Sequence, residues 1–532
     1  TYAINNATAY EYVRHSKNNL GTANFGLDYS FNPDNELIDF KAKLYYVTTE
    51  LVRSNAGHQT SEVRNNYDPY KDYFRTDTWG LQGENTSRFN FDTYGLLTWN
   101  YGLEMYQDNF KPKSNKVAAL SEAVKPYVDG ADPSGKRTMA SLFSNLEYSY
   151  NDWLTLNGGL RYDRYRLEGK TGMTIYRREI IRHENGVPIV DQNPAKRVED
   201  TYDLDEESGQ FSPTFGLAIK PGVDWLQLYA RWGKGWRPPA VTEVLMTGRP
   251  HGGNAPERVF PNPFLKAEES RDWEVGFNIF KESLFFNNDR LGVKVSYFDN
   301  RIKNFTFMQY GIALPEASNN FGDLAYVNNL NDTRFRGLEY QLNYDMGHAY
   351  TNLSYTHMIG ANDFCANDHY LGGAKKAGKI LKSYLERYVK PDGTMGFRKV
   401  SEYEYLDDDK SNSYVACGGI MGSAAHMPAD RGSLTVGARF LERRLDTGIR
   451  LRYSRGNGAD MNAHNYYNIE QATWPKYSVY DLYASYWPTN DVNLTLVLEN
   501  ATDEAYFVAM GDANNLSLAR GRTLSGMLEY KF

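Results

Sequence analysis

Cysteine is almost missing from this chain: Cys365 and Cys417 are the only two in 532 residues. Two are too few for a disulfide-built scaffold, and their separation matches no zinc-site spacing. Long apolar runs are missing too. None approaches the ~18 residues that a membrane-spanning helix needs, so the chain either stays out of membranes or crosses them as strands. Basic residues do not dominate, with 59 Lys and Arg against 66 Asp and Glu and a net charge of −7. That balance argues against a nucleic-acid binder that relies on neutralising phosphates. No nucleophile elbow, phosphate-binding glycine loop or zinc-protease helix is found. The residues from Thr1 onward carry neither the charged nor the apolar part of a secretory signal. No shift in composition divides the chain, although its length exceeds one ordinary soluble core.

What is abundant is aromatic. The chain has 42 Tyr, 26 Phe and 9 Trp beside a mean hydropathy of −0.63. Tyr and Trp at this density suit the two interfaces of a membrane, where an apolar ring and a polar tip are both satisfied. Period-2 alternation recurs along the whole length. Ile38, Phe40, Ala42, Leu44 and Tyr46 interleave with Asp39, Lys41 and Lys43, and Leu97, Trp99, Tyr101, Leu103 and Met105 with Thr98, Asn100, Gly102 and Glu104. Strands turn successive side chains to opposite faces, so each such segment has one apolar and one polar side.

A soluble sandwich would alternate in the same way, and the connections decide between the two. Tight turns at 32–36, 221–224 and 488–491 alternate with long polar loops around 55–77, 111–135, 171–205, 239–266, 361–425 and 457–473. Short turns at one end and long loops at the other describe a transmembrane β-barrel of the outer membrane. The ending agrees: Tyr530, Leu528, Gly526 and Leu524 form an apolar face that leads to a terminal Phe532. From Leu20 onward the pattern yields roughly 17 strands, whereas single-chain bacterial barrels have even numbers. The expected fold is therefore all-β, a transmembrane antiparallel barrel. Residues 20–532 form its C-terminal part and 1–19 the remnant of an extracellular loop, with about five strands and a plug lying upstream if the barrel is of the ~22-stranded, plugged kind.

One segment carries chemistry. Trp236-Arg237-Pro238-Pro239 and Pro261-Asn262-Pro263-Phe264-Leu265 are stiff, extended clusters, because proline fixes φ and biases its predecessor away from helix. Between them Arg249-Pro250-His251-Gly252-Gly253 holds out an imidazole on a flexible tip. Two rigid feet presenting one histidine suit a metal or haem ligand; a solvated loop histidine would look the same.

In a barrel of this size, Leu498-Glu499-Asn500-Ala501-Thr502-Asp503-Glu504-Ala505-Tyr506, then Arg520-Gly521-Arg522 and the final strand, resemble the TonB-dependent outer-membrane transporters, as does Gly158-Gly159-Leu160-Arg161-Tyr162-Asp163. The two proline clusters resemble the FRAP and NPNL boxes of haem receptors of the HasR type, which take haem from a secreted hemophore. The chain departs from those boxes at Trp236 (for Phe), at Pro238 (for Ala) and at Phe264, which precedes or replaces the Leu. The resemblance implies a Gram-negative outer-membrane haem importer, not an enzyme. In it His251 ligates the iron from the seventh extracellular loop; Arg249, two positions away, suits a propionate contact by its own charge. Haem is the transported ligand, a hemophore or other carrier the outside partner, and TonB the energy source, engaged through upstream residues along with a second ligand. A siderophore-iron transporter and a passive porin are the competing readings. An outer-membrane enzyme would need a catalytic cluster that the sequence does not assemble.

Other candidates carry less. His183, His369, His426 and His464 read as solvated loop histidines, His348 as a turn residue and His357 as girdle or lumen filling. Asp407-Asp408-Asp409 lacks the spacing of a calcium loop. Cys365 and Cys417 share one outer loop, and in an oxidising exterior a disulfide between them is expected.

Overall fold

The computed structural model describes residues 16–55, 70–114, 134–177, 180–184, 187–190, 196–246, 258–310, 323–329, 331–360, 366–367, 380–389, 395–403, 420–421, 430–456, 476–508 and 517–531. Among these residues no helix is long and apolar enough to cross a membrane. Seventeen strands form one sheet, each paired antiparallel with the next, as the alternation implies. They are Ser16–Phe31, Phe40–Asn55, Tyr70–Asn90, Leu96–Ser114, Ser134–Tyr150, Leu154–Arg177, Lys196–Ile219, Leu226–Arg237, Glu268–Glu282, Arg290–Lys303, Thr333–Asp345, Ala349–Met358, Arg431–Phe440, Leu445–Ser454, Tyr477–Tyr486, Val492–Glu499 and Thr523–Tyr530. The connections alternate throughout. Short turns such as 91–95, 151–153 and 346–348 lie at one end, and the long segments 56–69, 115–133, 178–195, 238–267, 304–332, 359–430, 455–476 and 500–522 at the other.

Register sorts the side chains. Along Leu226–Arg237, Leu228, Ala230 and Trp232 stand opposite Phe277, Val275 and Trp273, while Tyr229 and Arg231 stand opposite Gly276 and Glu274. The second face is polar and internally paired. Tyr229 donates to Glu274 at 2.7 Å and Lys294 lies 3.3 Å from the same carboxylate. Arg161–Glu104 (2.9 Å) and Arg452–Asp481 (2.8 Å) repeat the pattern around the wall. The first face is the lipid side: Leu160, Phe211, Phe215 and Leu496 are each about half exposed or more. At the end of the chain, Leu524, Gly526, Leu528 and Tyr530 pair with Leu498, Leu496, Leu494 and Val492 on that side.

The lipid band ends abruptly. On Leu154–Arg177 the outer face runs Leu154, Leu156, Leu160, Tyr162 and then Arg164, Arg166, Glu168 and Lys170. Arg166 pairs with Asp205 at 2.9 Å and Lys136 with Glu168 at 2.9 Å. The span from Leu154 to Tyr162 matches the ~9–11 residues that a tilted strand needs to cross the hydrocarbon. The rest of each 24-residue strand stands in water on the long-loop side.

Two expectations are corrected here. The region around 171–205 is not a simple loop, since strands occupy it to Arg177 and again from Lys196, with the hairpin Ile180–Glu184 and Val187–Val190 between. Likewise the first strand begins at Ser16, so Ser16–Asn19 belong to the sheet rather than to a loop remnant 1–19. The cause is common to both. Outside the hydrocarbon a strand has no lipid face to keep apolar, so the ladder continues through polar residues without the alternation that reveals it.

Leu342 lies between Val293 and Leu353 on the lipid face, and Asn343 faces the lumen one residue on. Val295→Arg, one row further from the short turns on the same face, between Phe277 and Tyr340, is expected to cost about 2–4 kcal/mol at mid-membrane and Asn343→Arg far less. The yield of folded barrel in lipid vesicles over a denaturant series measures both.

Candidate functional site

The loop 238–267 begins where Pro238 and Pro239, both buried, end a strand that proline cannot continue. The chain then turns into the short helix Val241–Leu245, whose Val241, Val244 and Leu245 are buried to 4, 2 and 0% exposure. They pack on Phe110, Met139, Tyr165, Leu167 and Leu204, with Trp236 and Leu265 against the same cluster. This small core lies on the inner face of the strand extensions above the membrane. A side chain on Gly135 or Gly169 would meet the Leu245 methyl at 2.5 or 2.6 Å, so glycine is what lets the helix approach. Thr171 Oγ1 donates to the Leu245 carbonyl at 2.9 Å.

The second proline cluster returns to the same spot. The Asn262 N–H donates to the Val244 carbonyl at 3.0 Å. The Asn262 side chain accepts from the Phe264 N–H at 3.1 Å and donates to the Tyr326 carbonyl at 2.9 Å. The segment 247–257 therefore leaves and returns between two neighbouring, buried feet. Arg249 and His251 lie in that segment, outside the described residues, as do Cys365, Cys417, His369, His426, His464 and Asp407–Asp409. His183 is on Ile180–Glu184 and His348 is in a short turn. His357, on Ala349–Met358, holds Asp430 at 2.9 Å. Beside the feet, Leu226–Arg237 pairs with Lys196–Ile219 only up to Gly233. Beyond it a cleft of ≈ 860 Å³ opens, lined among others by Tyr165, Trp236, Phe264, Leu265 and Lys266.

Arg237 is a clamp. Its Nη1 donates to both Glu243 oxygens at 3.0 Å, and Nε and Nη2 reach Glu268 at 2.9 and 2.6 Å. One guanidinium thus joins the end of one strand, the helix and the start of the next strand through charge-assisted forks. Each carboxylate also holds a backbone amide. Glu243 accepts from the Ala240 N–H at 2.8 Å, and Glu268 from the Thr306 N–H at 2.8 Å.

The loops are also knitted to one another. Arg258–Phe260 pairs in parallel with Asp323–Asn329, which pairs antiparallel with Thr306–Tyr310 and with Ala366–Asn367, while Ile420–Met421 adds to Thr306–Tyr310. Asn328, 2% exposed, staples the join. It accepts from the Lys266 N–H at 2.8 Å and donates to the carbonyls of Lys266 (3.0 Å) and Asn304 (2.8 Å). Burial, with Glu243 nearby, pushes the neighbouring Tyr326 hydroxyl above its ordinary pKa. Sequence reading missed Glu243, Glu268 and Asn328. The one available signal was Glu243, a carboxylate three residues beyond a helix start.

Residues 1–501 match the family model "TonB dependent receptor-like, beta-barrel". The chain belongs to this family. Its members are transport receptors of the Gram-negative outer membrane rather than enzymes, and the chain is an outer-membrane β-barrel of that kind. A solved Serratia marcescens structure, a double mutant of the hemophore receptor HasR with its hemophore HasA and heme, is 38% identical with a TM-score of 0.72, covering 97% of this chain and 66% of that one. A probable TonB-dependent receptor of Haemophilus influenzae is 24% identical over 322 residues, 56% of this chain and 31% of the relative. The hemophilin receptor of Acinetobacter baumannii is 23% identical over 361 residues, 66% of this chain and 30% of its own. The chain thus spans about a third of these curated relatives and two thirds of the solved receptor.

Asn328→Asp keeps the shape but puts a carboxylate oxygen against two carbonyls. Faster amide exchange across 306–310 and 323–329 is expected, with the barrel strands unchanged. Arg237→Gln should destabilise the loop 238–267 by about 1–3 kcal/mol, the scale of charge-assisted bonds left unmade. Limited proteolysis within that loop of the folded receptor reads the effect.

Proposed function

We propose that this receptor imports haem, taking it from a secreted carrier protein and moving it inward with TonB-supplied energy. The observation that carries the reading is the anchorage of loop 238–267. Two buried feet joined by the bond from Asn262 to Val244 hold an eleven-residue segment that carries one histidine. A neutral imidazole nitrogen is a common haem-iron ligand, and His251 is assigned that role. Arg249 is assigned to a haem propionate, where a guanidinium makes its strongest hydrogen bonds. Gly252 and Gly253 let the backbone adjust as the ligand engages, and the fixed feet limit the ordering entropy lost on binding. Similarity to a hemophore receptor supports the carrier as partner. The same similarity supports a barrel of about 22 strands around a plug, to which these seventeen contribute the C-terminal part.

The test is haem titration of the full receptor. A Soret band is expected with the native protein, strongly weakened by His251→Ala, while the folded barrel is retained because the loop stands outside the membrane. Unchanged affinity and spectrum would refute the ligand assignment. No Soret change in the native receptor would favour a siderophore-iron transporter, and steady ionic conductance through the full receptor would favour a porin.

A disulfide between Cys365 and Cys417 is part of the same proposal, as a brace for the loop 359–430 that a protein partner would meet. Closing so long a loop contributes about 3–4 kcal/mol on the chain-entropy account. Labelling the denatured, unreduced receptor should find no free thiol; two labelled cysteines would overturn the pairing.

A further inference from the structure

The turn 283–289 differs from other turns at the short-turn end. Those at 32–36 and 488–491 read Asn-Pro-Asp-Asn-Glu and Pro-Thr-Asn-Asp, and others expose one or two large apolar side chains, such as Phe91 and Tyr94 or Phe440 and Leu441, whereas this one presents three in a row, Leu284-Phe285-Phe286. The three are 41, 73 and 59% exposed. They are not loosely held. The Asp289 carboxylate, itself fully buried, accepts from the N–H groups of Leu284 (2.6 Å), Phe285 (2.9 Å) and Phe286 (3.1 Å) and from the Tyr344 hydroxyl (2.7 Å). The Ser283 N–H donates to the Asp289 carbonyl at 2.9 Å, closing the turn. A rigid turn that displays three apolar side chains to water would be disfavoured, and something must cover them.

Two observations say what. The Phe285 ring packs edge-on against Tyr344 with centroids 6.1 Å apart. Tyr344 pairs with Leu291 one row beyond Leu342–Val293 on the lipid face, so the tip folds outward and extends that face. The apolar rows are short here: Val275–Tyr297–Leu338, Phe277–Val295–Tyr340 and Ile279–Val293–Leu342 are followed by a row containing Lys281. The tip restores the missing height. Moreover, the amides at its apex are already hydrogen-bonded by Asp289, which is the condition for backbone to enter a medium that offers no partners.

We propose that Leu284-Phe285-Phe286 is a lipid anchor, seated at the boundary between headgroups and acyl chains in the periplasmic leaflet, and that it sets the depth of this side of the barrel. The occupant is phospholipid, not a periplasmic protein.

The test uses the full-length receptor carrying Phe286→Trp in phosphatidylethanolamine/phosphatidylglycerol vesicles, read as a difference from the wild type, whose native tryptophans include the 9 of this sequence. The added indole should emit at short wavelength, lose intensity about twofold in vesicles whose lipids are brominated in the upper acyl chain, and resist aqueous iodide, as interfacial tryptophan does. Long-wavelength emission that iodide quenches and brominated lipid does not would overturn the anchor and return the surface to water or a protein partner. A second arm compares Phe285→Ser/Phe286→Ser with wild type: equal folding in detergent micelles but a severalfold lower folded yield in vesicles is expected. Equal yields in both media would also overturn it. If that double variant fails in micelles as well, the Phe286→Trp spectra decide alone.

Discussion

Hydrocarbon offers no hydrogen-bond partner to a peptide group, and nearly every feature of this molecule follows from that constraint. Each strand must satisfy its backbone on its neighbours, which produces the continuous antiparallel ladder from Ser16 to Tyr530. Once the ladder exists, parity assigns every side chain to lipid or lumen. Leucine, phenylalanine and tryptophan take the outside, while arginines such as Arg161 and Arg452 take the inside with a carboxylate at hand. The same demand reappears in miniature at Asp289, which satisfies a turn that would otherwise present three bare amides.

Above Tyr162 water returns and the constraint relaxes. The ladder persists for several more residues, and its outer face turns to exposed ion pairs such as Arg166–Asp205, which water screens and which add little to stability. The inner face of the extensions does more, because Phe110, Met139, Tyr165, Leu167 and Leu204 make a small dry floor outside the membrane. That floor gives the short helix Val241–Leu245 something to bury against, since five residues cannot hold a helix alone. With the helix seated, Arg237 fastens it to the neighbouring strand, and Asn328 fastens the adjoining loop. A binding segment mounted this way loses less entropy when a ligand orders it.

The barrel was readable because lipid imposes a period. Wherever a strand has one face in hydrocarbon, as from Leu97 to Met105, alternation declares it, and the alternation of connection lengths orients it. The strand extensions at 171–177 and 196–205 were not readable, because polar residues on both faces of a solvated strand look like loop. The two proline boxes marked where the candidate site lies. They did not say what Arg237 does, since its partners Glu243 and Glu268 are six and thirty-one residues away.

Composition and pattern alone therefore pointed to an all-β membrane wall of roughly seventeen strands and marked the candidate loop by its two proline boxes. These depend on period and spacing, which are properties of the chain as written. Only the folded structure decided that the second box meets the helix following the first, through Asn262 and Val244, that three outer loops share one small sheet stapled by Asn328, and that Phe285 leans outward onto Tyr344. Each of these is a contact between residues far apart in sequence or set by a turn's geometry. Such contacts depend on which polar groups find partners in space, and a linear pattern does not record that.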